Sequence, residues 1–326
     1  MNILICQNSV LPALKYGGTE RLIWWLGKQL SQMGHKVSFL AAKGSTCPFA
    51  EVLEFQENVS IDEQIPDYID VVHLNNEPDQ PLKKPYIVTI HGNRNNFEEF
   101  DLNSVFVSKN HANRYQSEAF VYNGIDLDEY RISDFNKKRT HTHFLAKAAW
   151  RLKNVKGAIE LAKRSHNKLV VLGGTRLNFK MGFRFTPDLH VRFYGMVGGD
   201  QKLNLLSTSK ALIFPVLWHE PFGLAIIESL VTGSAVFGTP YGSLPELVPE
   251  EVGFLSNSKA ELVNQLMDLD RFKPEICREY ASDNFSINQT AMAYLSCYEK
   301  VLNGRTINSK PPKALEISPG FLGLHE

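Results

Sequence analysis

A chain of 326 residues, 43% hydrophobic and 21% charged, can bury one large core or two medium ones, which excludes a disordered polymer. Its formal net charge of zero lacks the cationic excess of a dedicated nucleic-acid binder, and no stretch approaches the roughly 18 apolar residues of a membrane span. Cys6, Cys47, Cys277 and Cys297 have no metal-ligand spacing and read as free thiols of a cytosolic protein. A cut near Lys138 leaves 13 basic and 18 acidic side chains before it and 22 basic and 17 acidic after it. The second part therefore favours an anionic ligand such as phosphate.

In chain order, Met1 to Cys6 carries no basic segment ahead of its apolar run and does not read as a signal peptide. Ile3 to Cys6 is the first expected strand; a loop ending in Gly17 and Gly18, a helix from Glu20 to Met33 and a strand from Val37 to Ala41 complete a βαβ opening. Strands are expected at Ile69 to His73, Tyr86 to Ile90, Val105 to Val107 and Phe120 to Tyr122. The charged run Asp134 to Arg139 reads as a linker, after which the pattern restarts. Strands at His143 to Ala146, Leu169 to Leu172, Val191 to Tyr194, Ala211 to Phe214 and Ala235 to Gly238 alternate with helices at Val155 to Arg164, Gln201 to Thr208 and after Glu220. A late helix covers Thr290 to Leu302, and the Pro/Gly-containing tail from Ser309 reads as weakly ordered. The expectation is an α/β protein of two Rossmann-like parallel-sheet lobes facing across a cleft, residues 1–138 and 139–288, with a late helix at 289–308 and a tail at 309–326.

The chemistry-bearing residues fall where strands end, the edge at which open α/β sheets bind ligands. Glu220 and Glu228 lie eight positions apart around Pro221, Phe222, Gly223 and Leu224. Helix-opening amides near Phe222, Gly223 and Leu224 would attract phosphate, and Gly223 permits close approach. Two accounts of the carboxylates stand side by side. Glu220 caps the helix and Glu228 is a polar face residue, or both accept hydrogen bonds from sugar or ribose hydroxyls. Arg151 and Lys156, just after an expected strand, could hold a diphosphate, so that the cluster suits a nucleotide-sugar better than a bare nucleotide. Gly17-Gly18 fits neither a dinucleotide fingerprint nor a phosphate loop and reads equally as a tight turn. His73 and His91 close adjacent strands, each a site residue or a structural partner. Asp126/Asp128 and Asp268/Asp270 are carboxylates at i and i+2, one pair in a turn and one in an expected helix; neither is read as a metal site.

With those residues in view, the sequence resembles the retaining glycosyltransferases of family four, which have the two-lobed B fold (GT-B). The segment from Glu220 to Glu228, continued by Gly233, Pro240, Gly242 and Pro245-Glu246, carries the most specific part of the likeness, and Asn123 to Asp126, Gly195, His91 and Gly17-Gly18 also fit. The family's usual Gly-Arg ahead of a Lys-Gly pair stands here as Trp150-Arg151 ahead of Lys156-Gly157. The resemblance implies transfer of a sugar from a nucleoside-diphosphate sugar, UDP- or GDP-linked, to an acceptor hydroxyl in glycan, lipopolysaccharide or glycoconjugate biosynthesis, without cofactor or metal. It implies that Arg151 and Lys156 hold the diphosphate with amides around Gly18 and from Phe222 to Leu224. Glu220 would contact the transferred sugar, Glu228 the ribose, the stretch after Gly195 including Met196 the base, and His91 the sugar or its phosphate. The first lobe would be the acceptor side, the second the donor side, and the late helix would return to the first. The partners are then the donor and a carbohydrate or glycoconjugate acceptor, with a cytoplasmic location and peripheral contact at the inner face of a membrane. A sugar-nucleotide epimerase, a phosphorylase-like enzyme of related fold and a non-catalytic nucleotide-sugar-binding protein are the alternatives.

Overall fold

A computed structural model describes every residue except 14–16, 132–134, 136 and 319. Residues 134 and 136 of the expected linker thus lie outside the described residues. The chain forms two compact units, one of Met1–Ala13, Gly17–Asp126 and Phe285–Ser318, the other built mainly from Leu127–Asn284 with the chain end. The first crossing falls at 126/127 rather than 138, and Asp126 forms an ion pair with Lys28 of the same unit, Nζ to Oδ2 2.5 Å.

In the first unit the strands are β1 (Asn2–Gln7), β2 (Lys36–Ala41), β3 (Glu51–Glu54), β4 (Val71–Leu74), β5 (Tyr86–Ile90) and β6 (Ser104–Phe106), all parallel in the order β3-β2-β1-β4-β5-β6. β1, β4 and β5 are near-continuous apolar runs buried along their length, as strands covered on both faces require. Helix α1 (Gly18–Gln32) follows the Gly17-Gly18 turn and α2 (Lys109–Arg114) is capped by Ser108, whose side chain accepts from the His111 amide. Phe120 to Tyr122 is not a strand: Phe120 makes one isolated bridge to Phe106.

In the second unit the sheet contains β7 (His141–Leu145), β8 (Leu169–Leu172), β11 (Val191–Phe193), β12 (Ser209–Phe214), β13 (Ala235–Gly238) and β14 (Gly253–Leu255), parallel in the order β11-β8-β7-β12-β13-β14. Between β8 and β11 an antiparallel hairpin, β9 (Leu177–Asn178) and β10 (Arg184–Phe185), stands outside the sheet. The helices are α3 (Val155–Arg164), α4 (Gly199–Ser207), α5 (Leu224–Val231), α6 (Leu244–Leu247), α7 (Lys259–Leu266) and α8 (Pro274–Asn284). Asp268 and Asp270 sit at a short 3-10 turn, not in an α-helix.

The last helix, α9 (Ile287–Leu302), opens with a capping box in which Ser286 and Gln289 exchange side-chain and backbone hydrogen bonds. It packs on α1 and β5 within the first unit. The tail is held rather than loose: the amides of Lys313 and Leu315 donate to the carbonyls of Tyr115 and Arg114, both at 3.0 Å, and Ala314 is buried in the first-unit core. Farther on, in the second unit, the Leu322 amide donates to the Leu217 carbonyl and the His325 amide to that of Asn257. Backbone pairing of this kind supplies the order that the tail's composition does not suggest.

Candidate functional site

In the second sheet the chain runs from β7 through β8 to β11 on one side, then returns to place β12 on the other side of β7. The loops leaving β7 and β12 therefore flank a topological switch point, where an open sheet leaves room for a ligand. These loops carry Arg151 to Lys156 and Pro215 to Gly223, and they are tied together: the Leu217 amide donates to the Leu152 carbonyl at 2.8 Å, and Asn154 Nδ2 to the Pro215 carbonyl at 2.9 Å. Asn154 has φ 56° and its side chain caps α3 by accepting from the Gly157 amide; on either side of this turn Arg151 and Lys156 are exposed.

Arg151 and Lys156 are exposed and line one cavity of about 470 Å³, with Ala148, Asn178, Phe183, Arg184 and Phe321 among its walls. The Arg151 guanidinium lies 5.3 Å from the centre of the Phe321 ring, a cation–π contact. Glu220, Phe222, Gly223, Leu224, Glu228 and Met196 do not line it. Met196 follows Gly195 beyond β11 and is 44% exposed; a second depression of about 410 Å³ takes in Arg192, Tyr194 and Gly195 but not Met196.

Neither carboxylate matches the capping account. The residue at the start of α5 is Gly223, with φ 86° and no side-chain cap, and Glu220 instead accepts from Lys153 Nζ at 2.5 Å and Trp218 Nε1 at 2.8 Å. Lys153 is enclosed by the rings of Trp150, Phe214 and Trp218 at 5.1–5.3 Å, so the ion pair is largely removed from water and stronger than a surface one. The Glu220 backbone makes a parallel bridge to Gly242, and its carbonyl accepts from the Ser243 amide at 2.9 Å. Glu228 is not a polar face residue. It is buried on α5 and its Oε1 accepts from both Lys202 Nζ and the Tyr130 hydroxyl. The helix itself begins at Leu224, so its leading amides are those of Leu224 and Ala225 rather than those of Phe222 and Gly223.

In the first unit, β1 and β4 are the strands between which the sheet reverses, and the sequence-derived residues Gly17, Gly18, His73 and His91 follow or close strands at that sheet's carboxyl edge. Gly17 has φ 141° and its carbonyl accepts from the Arg21 amide, starting α1. His73 is a core histidine: its Nδ1 meets the Tyr298 hydroxyl at 2.8 Å and its Nε2 the Thr89 hydroxyl at 2.7 Å. Burial pushes its pKa down to about 3. His91 Nε2 lies 2.8 Å from Asn75 Oδ1, while Asn75 Nδ2 donates to the Cys6 carbonyl. That second bond fixes the amide orientation, so His91 carries its proton on Nε2 and keeps Nδ1 as an acceptor. Desolvation lowers the His91 pKa to about 4, leaving the ring neutral near pH 7.

Residues 128–283, within the second unit, match the model of the glycosyl transferases group 1 family. AviGT4, a glycosyltransferase involved in avilamycin A biosynthesis, superposes with a TM-score of 0.76 at 21% identity over 94% of this chain and 99% of that one. The fold is that of the GT-B glycosyltransferases. Sucrose-phosphate synthase from Thermosynechococcus elongatus gives 0.71 at 16% identity, covering 93% and 99%, and Anabaena HepE in complex with UDP-glucose gives 0.62 at 16%, covering 91% and 99%. A 41.2 kDa protein in the cps region of Klebsiella pneumoniae is 30% identical over 117 residues, which are 34% of this chain and only 32% of that relative's length. The family match lies within the second unit, and the likeness to these structures extends the fold over the whole chain.

Within this GT-B fold several site neighbours escape the sequence reading: Lys153, Lys202, Tyr130 and Phe321. Lys153 was adjacent to the motif and differs from Arg151 and Lys156 only in pointing inward, which no spacing rule reveals. Among the described residues no group of three or more His, Cys, Asp or Glu side chains could hold a metal ion. Asp126 pairs with Lys28, Asp128 with Arg131 and Asp270 with Lys210, so three of these four carboxylates are engaged in ion pairs. No helix among the described residues is long and apolar enough to cross a membrane.

Proposed function

We propose that the chain is a retaining glycosyltransferase that moves a sugar from a UDP- or GDP-sugar to the hydroxyl of a glycan, lipopolysaccharide or glycoconjugate acceptor. The observation that carries the reading is the convergence of Arg151 and Lys156 on one cavity beside the loop that holds Glu220. Two cations with the leading amides of α5 suit a diphosphate, the leaving group that gains negative charge as the sugar–phosphate bond breaks. Fixed positive groups bind that state more tightly than the intact donor, which lowers the barrier. The bond breaks toward the diphosphate oxygen. The acceptor hydroxyl attacks from the same face, and its proton passes to the departing phosphate.

In this reading Glu220 accepts from hydroxyls of the transferred sugar, and Lys153 with Trp218 fixes its carboxylate in place. Glu228 serves the ribose, held by Lys202 and Tyr130, and the backbone around Gly195 and Met196 serves the base. The first unit takes the acceptor. Neutral His91, accepting through Nδ1, suits a sugar hydroxyl better than a phosphate. The sugar-nucleotide complexes of HepE support a donor of this class. No step calls on a metal.

The test is release of free nucleoside diphosphate in the presence and absence of added acceptor, after donors have been ranked by their protection against thermal unfolding. Acceptor-dependent release in excess chelator is the expected result. Sugar interconversion without acceptor would point to an epimerase, and donor binding without any turnover to a binding protein.

A further inference from the structure

The hairpin between β8 and β11 has its polarity inverted. Pairing of Leu177 with Phe185 and Asn178 with Arg184 places the odd-numbered residues on one face. That face holds Leu177, Phe179, Phe183 and Phe185 at 47%, 73%, 69% and 57% exposure, with Met181 at 57% in the turn. The opposite face holds Arg184, only 8% exposed and donating to the Thr186 hydroxyl and the Thr175 carbonyl. A ribbon on a water-soluble surface turns its apolar face to the core; this one turns it outward, and the nearby Leu189 is 94% exposed. An apolar patch of this kind marks a surface that meets another body.

Charge selects the occupant. Residues 175–192 contain four basic side chains, Arg176, Lys180, Arg184 and Arg192, and one acidic, Asp188, whose carboxylate lies 3.2 Å from Lys163. A second copy meeting this face through a two-fold axis would set like charges together. An anionic lipid surface is complementary to it, with aromatic rings at the acyl boundary and lysine reaching the headgroups along its apolar stem. We propose that the Leu177–Phe185 hairpin docks the second unit on an anionic lipid surface, with Leu177, Phe179, Phe183 and Phe185 entering the acyl boundary and Lys180 and Arg192 meeting headgroup phosphates. Met181, Gly182 and Phe183 also wall the cavity of Arg151 and Lys156. Docking therefore holds that cavity beside lipid, where an amphiphilic acceptor resides; this last step rests on the glycosyltransferase reading, and the docking does not.

Flotation of the full chain with vesicles of phosphatidylcholine, alone or mixed with phosphatidylglycerol, tests the proposal. Binding to the mixed vesicles alone, weakened by salt, is expected. Phe179→Ser combined with Phe185→Ser should lower it about tenfold or more. Both side chains are exposed, so thermal unfolding and turnover on a soluble acceptor should be unchanged, which separates failure of docking from failure of the catalytic reading. As a second readout, Phe179→Trp should give emission that moves to the blue on mixed vesicles. Absence of flotation, equal flotation of the double variant, or a dimer that the double substitution dissolves without any vesicle binding would overturn the proposal.

Discussion

At the scale of single residues the site is organised by ion pairs that remove its carboxylates from water. Lys153 and Glu220 are both nearly buried, and Lys153→Met leaves a carboxylate without its cation; the expected loss is about 3–5 kcal/mol, read by denaturant unfolding. The combination Lys153→Met with Glu220→Gln should recover most of that stability, while the proposed role of Glu220 toward the sugar predicts that donor turnover stays low. If the double variant regains turnover, Glu220 is a structural partner only. Arg151 and Lys156 are exposed and bear no comparable structural duty. Arg151→Ala and Lys156→Ala should each weaken donor binding by roughly tenfold to a hundredfold with little change in melting temperature, measured by calorimetry and thermal unfolding. The pairings themselves were beyond sequence reasoning, because Lys153 and Glu220 are 67 positions apart and Lys202 and Glu228 are 26 apart, and no periodicity links a lysine on one element to a carboxylate on another.

At the scale of elements, the Glu220 loop depends on Gly242. Its φ of 66° and the 2.3 Å that would separate an added Cβ from both Glu220 N and O leave no room for a side chain without moving the bridge between these residues. Gly242→Ala should cost more than about 1 kcal/mol and lower donor turnover; normal unfolding and kinetics in that variant would show that the bridge is dispensable. The element pattern was legible where apolar runs are long: β1, β5, β8 and β12 lie close to their expected ranges. It failed where residue type and environment disagree. β3 is Glu-Val-Leu-Glu, half-exposed and charged at both ends, and lacks the alternation that marks a half-buried strand, whereas the short β9–β10 hairpin alternates but shows its apolar side to solvent. The α5 start slipped toward Leu224 because Pro221 and the left-handed Gly223 keep the preceding residues out of helical geometry.

For the whole molecule, the two α/β units were legible from element order, but the chain path between them was not. Asp126 and Leu127 are neighbours in sequence and belong to different units, although no linker-like composition marks that position. Buried histidines give the protein a pH signature. Burial lowers His73, His111 and His143 to about 3 and His91 to about 4, below the ordinary value near 6.5. Between those limits the unfolded chain binds protons that the folded one refuses, so stability is fully present above about pH 6.5 and falls as the pH drops toward 4. Unfolding midpoints measured across that window should decline, and His73→Gln should flatten the decline. The central claim, that the cavity of Arg151 and Lys156 receives a nucleoside-diphosphate sugar, is tested most directly by thermal unfolding against a panel of UDP- and GDP-sugars. The account predicts that at least one donor raises the melting temperature of the natural protein and none raises that of Arg151→Ala combined with Lys156→Ala; equal protection of both proteins would contradict it.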